Sequence, residues 1–136
     1  MAMINTEGLA NAPVNTCLVK GIYRTMIVKA EPIVSKTKNT PGIHFEGEIQ
    51  DGTVQPNGSY PAGRHISWDI WIPVAPGKGR DSGLSKLKQL ELCVGIEPSE
   101  NTQTDEFVGK VVDLRTAVEE YNGEDKEKVQ GYKAVK

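Results

Sequence analysis

HISWDIWIPVAPGKGRDSGLSKLKQLELCVGI, His65 to Ile96, is the stretch whose reading decides the fold. It opens as a strand: Ile66, Trp68, Ile70 and Ile72 alternate with His65, Ser67, Asp69 and Trp71, the period-2 pattern of a sheet with one buried face. The prolines and the glycine-rich basic loop GKGRDSG interrupt that pattern. Behind the loop, Asp81 or Ser82 caps a helix whose apolar positions Leu84, Leu87, Leu90 and Cys93 or Val94 recur at three- and four-residue steps. Gly95 is its C-terminal stop. A half-buried strand therefore runs into one amphipathic helix.

On the N-terminal side, Ile43 to Gln50 (IHFEGEIQ) alternates in the same way. Cys17 to Ser35 is rich in β-branched and aromatic residues and predicts a long strand, bent near Gly21 and ending around Pro32. SKTKNTPG is a turn-forming loop carrying Lys36 and Lys38, and DGTVQPNGSYPAG is a turn-rich connection of hairpin character. On the C-terminal side, IEPSENTQTDEF reads as polar loop. Gly109 to Tyr121 reads as a strand with Val112, Leu114, Thr116 and Val118 on one face, and Asn122-Gly123 as a hairpin turn into a last strand, Glu127 to Val135. Residues 1–16 are small and polar and predict a flexible N-terminal arm, leaving 17–136 as the folded domain.

Five strands with one helix between the third and fourth are the layout of an OB-fold, a five-stranded barrel in the order β1-β2-β3-α-β4-β5 whose helix plugs one open end. The competing architecture, a two-sheet sandwich, usually has more strands and no amphipathic helix at this place. A chain of 136 residues is one ordinary domain. Cys17 and Cys93 sit in apolar contexts outside any CxxC or Cys/His cluster and read as reduced packing residues. With no apolar leader and no membrane-length apolar window, the expectation is a soluble cytoplasmic protein.

The net charge of −2 conceals segregation along the chain. Lys20, Arg24, Lys29, Lys36 and Lys38 face Glu31 alone, and Arg64, Lys78, Arg80, Lys86 and Lys88 face Asp69 and Asp81. The segment Glu91 to Glu127 holds eleven acids against Lys110, Arg115 and Lys126.

Three runs, GIYRTMIVKAEPIVSKTKNTPGIHFEGEI, SGLSKLKQLELCVGI and DEFVGKVVDLRTAVEEYNGEDKEKVQGYKAV, resemble the OB-fold single-stranded DNA-binding proteins of tailed bacteriophages. The shared features are a G-x-Y strand start, a lysine-bearing loop, a K-L-x-x-L helix, a D-x-h-x-G-K-x-V strand start and a Y-x-G-E hairpin, in that order over Lys20 to Val135. The resemblance implies a coat for single-stranded DNA in replication or recombination, with little sequence preference, no cofactor and no membrane partner. Other replication or recombination proteins are its further expected partners. Many such proteins end in an acidic recruiting tail, whereas this chain ends GYKAVK.

Sequence-tolerant single-strand binding needs cations along the phosphates and aromatic faces for the bases. Trp68 belongs with the core-facing isoleucines. Trp71 points outward, where it stacks a base with Lys78 and Arg80 on the adjoining phosphates, or else covers a loop or an interface. Lys36 and Lys38 border the groove, with His44, His65, Arg64 and Lys29 around it, while Tyr23 either stacks or fills the core. Glu46, Glu48 and Gln50 share the outward face with His44 and repel a phosphate path. No nucleophile motif or metal-type spacing is present, so catalysis is not expected. The alternative function is a protein-interaction module on the same barrel, a replisome accessory or an inhibitor of a host nuclease, with Trp71 as interface anchor.

Overall fold

The computed structural model describes residues 3–7, 17–52 and 61–135. Most of the expected arm and of the turn-rich connection, residues 8–16 and 53–60, lies outside the described residues. The elements are β1 (Ile22–Val34), β2 (Pro41–Ile49), β3 (His65–Trp71), α1 (Lys78–Val94), a 3₁₀ turn (Thr104–Phe107), β4 (Val111–Tyr121) and β5 (Glu124–Lys133).

All five strands join one antiparallel sheet in the spatial order β3-β2-β1-β4-β5, which differs from the order along the chain. The sheet does not close into a barrel. No ladder joins β3 to β5 among the described residues, and their margins meet through side chains instead. Arg64, just ahead of β3, donates to Glu127 of β5 at 3.1 Å, and the rings of Trp68 and Tyr132 lie 6.2 Å apart. Burial pushes the Tyr132 phenol far above its ordinary range, and the neighbouring Trp68 indole opposes this only in part.

β1 serves both halves of the sheet. Its first residues, Ile22 to Met26, pair with β4, and Thr25 to Val34 pair with β2. The register slips at Val28, between Ile27 and Lys29, so the bend is a bulge there and not at Gly21. Gly21 instead sits ahead of the strand, where its N–H donates to Thr116 Oγ1 and its carbonyl accepts from Thr116 N at 2.8 Å.

The core is built on Phe45 of β2. Trp68 stacks on it at 5.3 Å, as the strand pattern predicted for that tryptophan, and Phe107 meets it edge-on at 5.1 Å. Phe107 is fully buried although it lies in the segment read as polar loop. A single 3₁₀ turn is enough to fold its ring inward, too short for periodicity to reveal.

Helix α1 begins at Lys78, three residues before the expected cap, so GKGR forms its first turn. Gly77 stands at the N-cap without a side-chain cap, and Arg80 Nη1 donates to Pro73 O at 3.0 Å, tying that turn to the end of β3. Gly95 ends the helix in the left-handed conformation at φ 82°, as read from the sequence. The buried stripe is Gly83, Leu87, Leu90 and Glu91, while Leu84, expected inside, is exposed. The cause is the approach at Gly83: a Cβ there would lie 2.0 Å from Trp71 O, so the helix backbone rests on the strand and the stripe turns toward that contact.

β4 and β5 turn through Asn122 and Gly123, both at positive φ, the signature of a two-residue hairpin. Val112, Leu114 and Thr116 are buried as expected. Val118 is exposed because β4 has by then outrun β1, whose pairing stops at Arg115, and continues as a two-stranded ribbon with β5. Cys17 and Cys93 form no disulfide among the described residues and are half-buried, and burial is the main influence pushing each thiol above its ordinary value. No helix among the described residues is long and apolar enough to cross a membrane.

Candidate functional site

β3 presents His65, Ser67, Asp69 and Trp71 on the face turned from the core, and the register sets them against Glu48, Glu46, His44 and Gly42 of β2. Trp71 is 39% exposed. Its ring lies against the β2 backbone at Gly42, where a Cβ would come within 2.7 Å of the ring and 2.8 Å of Ile70 O. Glycine at that position lets the six-membered ring of the indole approach the β2 backbone while part of the side chain stays exposed.

Two cationic segments converge on the same end of the sheet. Lys36 and Lys38 ride the β1–β2 loop, closed by Ser35 N to Thr40 O at 2.8 Å and by Asn39 in the left-handed region. That loop delivers Pro41, which accepts from Ile72 N at 2.8 Å immediately after Trp71. From the other side come Lys78 and Arg80 in the first turn of α1. Lys36, Lys38 and Lys78 are exposed and form no ion pair among the described residues. Arg80 is half-buried and holds Pro73 O. It lines a cleft of about 640 Å³ between α1 and residues 98–102, floored by Ile43, Ile72, Leu84 and Leu87. Glu91 lines the same cleft; burial raises its carboxyl above the usual range, while a 3.3 Å hydrogen bond from Thr102 acts against this.

The remaining expected contacts are placed differently. Tyr23 is buried in the core, its hydroxyl donating to the Val19 carbonyl, so its ring is closed to a base. Arg64 is committed to Glu127, with both side chains largely covered. Lys29 pairs with Glu31 at 3.5 Å. His44 Nδ1 lies 2.6 Å from Asp69, and His65 lies 2.9 Å from Glu46 and 3.8 Å from Glu48. The hydrogen bond with His65 is the leading reason that the Glu46 carboxyl titrates below its ordinary value. Both histidines are thus held by carboxylates, His44 one register row from Trp71 on the same face and His65 at the opposite end of β3. No grouping of three or more His, Cys, Asp or Glu suited to a metal ion occurs among the described residues.

Sequence reading missed a second cationic region on the outer face. Along β4 and β5 the register aligns Arg24, Asp113 and Lys133 in one row, Arg115 with Gly131 in the next, then Ala117 with Lys128 and Glu119 with Lys126. The Arg115 guanidinium lies over Gly131, 3.2 Å from where a Cβ would stand. These cations are scattered in sequence and gather only through the β4–β5 register, so no local run signals them. A scan against protein-family models and a search of curated proteins both return no match.

Proposed function

We propose that this chain binds single-stranded DNA with little sequence preference, through the end of the sheet where Trp71 lies on Gly42. The fold we infer is an open form of the OB arrangement, supported by the order β3-β2-β1-β4-β5 and the helix between β3 and β4. Trp71 carries the reading: a part-exposed indole backed by a glycine is a platform for a base of any identity. Lys36 and Lys38 from the β1–β2 loop and Lys78 from the first turn of α1 flank it, exposed and without an ion pair among the described residues, able to follow phosphates on either side. The strand passes over this end and avoids the middle of β2 and β3, where Glu46, Glu48 and Asp69 repel it. A role in coating DNA during replication or recombination follows from the sequence resemblance.

The test is titration of the protein's tryptophan fluorescence with oligo-dT and with a matched duplex. Single-strand binding quenches emission, and Trp71→Ala weakens it by about 1–3 kcal/mol while leaving the fold intact. Wild-type affinity in the folded variant rejects the site. Absence of any single-strand binding at low salt rejects the function and favours the alternative, a protein-interaction module anchored by the same indole.

A further inference from the structure

The outer face of the sheet is divided by charge. On the β2–β3 half, with the adjoining end of β1, stand Glu31, Glu46, Glu48 and Asp69 against Lys29: four carboxylates and one lysine, net −3 with His44 and His65 neutral. On the β4–β5 half, with the beginning of β1, stand Arg24, Arg115, Lys126, Lys128 and Lys133 against Asp113, Glu119 and, at the turn, Glu124: five cations and three carboxylates, net +2.

The two halves are opposite in sign, belong to one sheet face and sit on different strands. An acidic patch and a basic patch at separate places on one surface satisfy each other between molecules, either head to tail or reciprocally about a two-fold axis. Two features of the rows favour this. Within the basic half, Arg115 and Lys133 have no carboxylate partner among the described residues, and the Arg115 guanidinium is laid flat on Gly131, a planar fork suited to a carboxylate. Within the acidic half, Glu46 and Glu48 share the single imidazole of His65, at 2.9 and 3.8 Å, so two carboxylates are served by one ring.

We propose that copies of this chain associate through this face, the basic β4–β5 half of one docking on the acidic β2–β3 half of another. The contact is polar, exposed and screened by salt, since the Debye length is about 10 Å at 0.1 M and solvated pairs are individually weak. It rests on the charge division of the sheet face and not on DNA binding, although Trp71 stands at the end of the same β2–β3 half.

Sedimentation velocity of the full chain without nucleic acid tests it. At roughly 100 µM protein, the weight-average sedimentation coefficient rises when salt is lowered from about 300 mM to about 20 mM. Arg115→Glu with Lys133→Glu makes both halves acidic and abolishes that rise, and Glu46→Lys with Glu48→Lys makes the acidic half basic and abolishes it too. An equimolar mixture of the two double variants restores it, because each then offers the charge the other lacks. A wild-type protein that stays monomeric at low salt overturns the proposal, as does association that survives either double variant or a mixture that fails to recover. If the wild type stays monomeric and the Arg115/Lys133 variant loses oligo-dT binding, the basic half is a polyanion track, and the self-contact is wrong while DNA binding stands.

Discussion

Replacing Gly83 by alanine sets two known effects against each other. In the interior of a helix, alanine ordinarily gains about 1 kcal/mol over glycine. At this position the new Cβ would stand 2.0 Å from Trp71 O and 3.1 Å from Trp71 C, both backbone atoms of β3 that cannot swing aside. Restoring ordinary contact requires α1 and β3 to separate by roughly 1.4 Å, which opens the Leu87 and Leu90 packing beneath the helix. Overpacking of this sort costs about 1–3 kcal/mol, toward the upper end where backbone meets backbone. The expected net loss for Gly83→Ala is about 1–2 kcal/mol, or roughly 3–8 °C in Tm for a chain of this size. Gly79→Ala, one turn earlier in the same helix, is the control: its Cβ would meet only Pro73 Cγ at 3.5 Å, so the helix gain of about 0.5 kcal/mol survives. Thermal and urea unfolding followed by circular dichroism compare the two. If Gly83→Ala is as stable as Gly79→Ala, the close approach of α1 to β3 is not present in solution and the account of the helix stripe fails with it.

Other perturbations address the margins and the outer face. Glu127 accepts from Arg64 at 3.1 Å and from Leu18 N at 3.3 Å, so Glu127→Ala strands two donors in a largely covered site and costs about 1–3 kcal/mol in urea denaturation. Glu127→Gln recovers part of that, and an unchanged midpoint in the alanine variant would mean that the β3–β5 side-chain seam carries no load. Glu46, lowered chiefly by His65, contributes a stability increment present above the unfolded carboxylate range and lost as pH falls through its depressed folded midpoint. Carboxyl-carbon NMR titration should find that midpoint below the ordinary value and find it raised in His65→Ala; no difference between the two proteins would dissolve the pairing.

The strands and the helix were legible because each carries its own periodicity. Ile66, Trp68 and Ile70 on β3, and Val112 and Leu114 on β4, repeat at the period of a sheet, and every one is buried. What failed was whatever depends on a partner element. The register of β1 slips at Val28, just past Thr25 and Met26, which pair with both β4 and β2, and a β-branched residue gives no local sign of that slip. The helix starts earlier than its capping signals predict because Arg80 reaches Pro73 O, a tertiary contact that ties the first turn to the end of β3. Of the two readings open for Tyr23 the core is the one observed, on the inward side of β1, while Arg64, expected at the groove, is taken by Glu127. At the site, alternation sufficed to place Trp71 outside, but the glycine beneath it belongs to a strand 29 residues away and becomes visible only with the register.

The ribbon formed by β4 and β5 beyond Thr116 has ladder bonds on one side only, and its base is held to the rest of the sheet by Arg64 and Glu127. In the language of amide hydrogen exchange, this is a unit that opens at low free energy, while Ile27, Phe45 and Leu114, fully buried, exchange only when the whole domain unfolds. Trp71 stands at the opposite end of β3 from Arg64, beside the ordered start of α1. The chain can therefore fray at its last hairpin, repeatedly and cheaply, without disturbing the platform on which a base would rest.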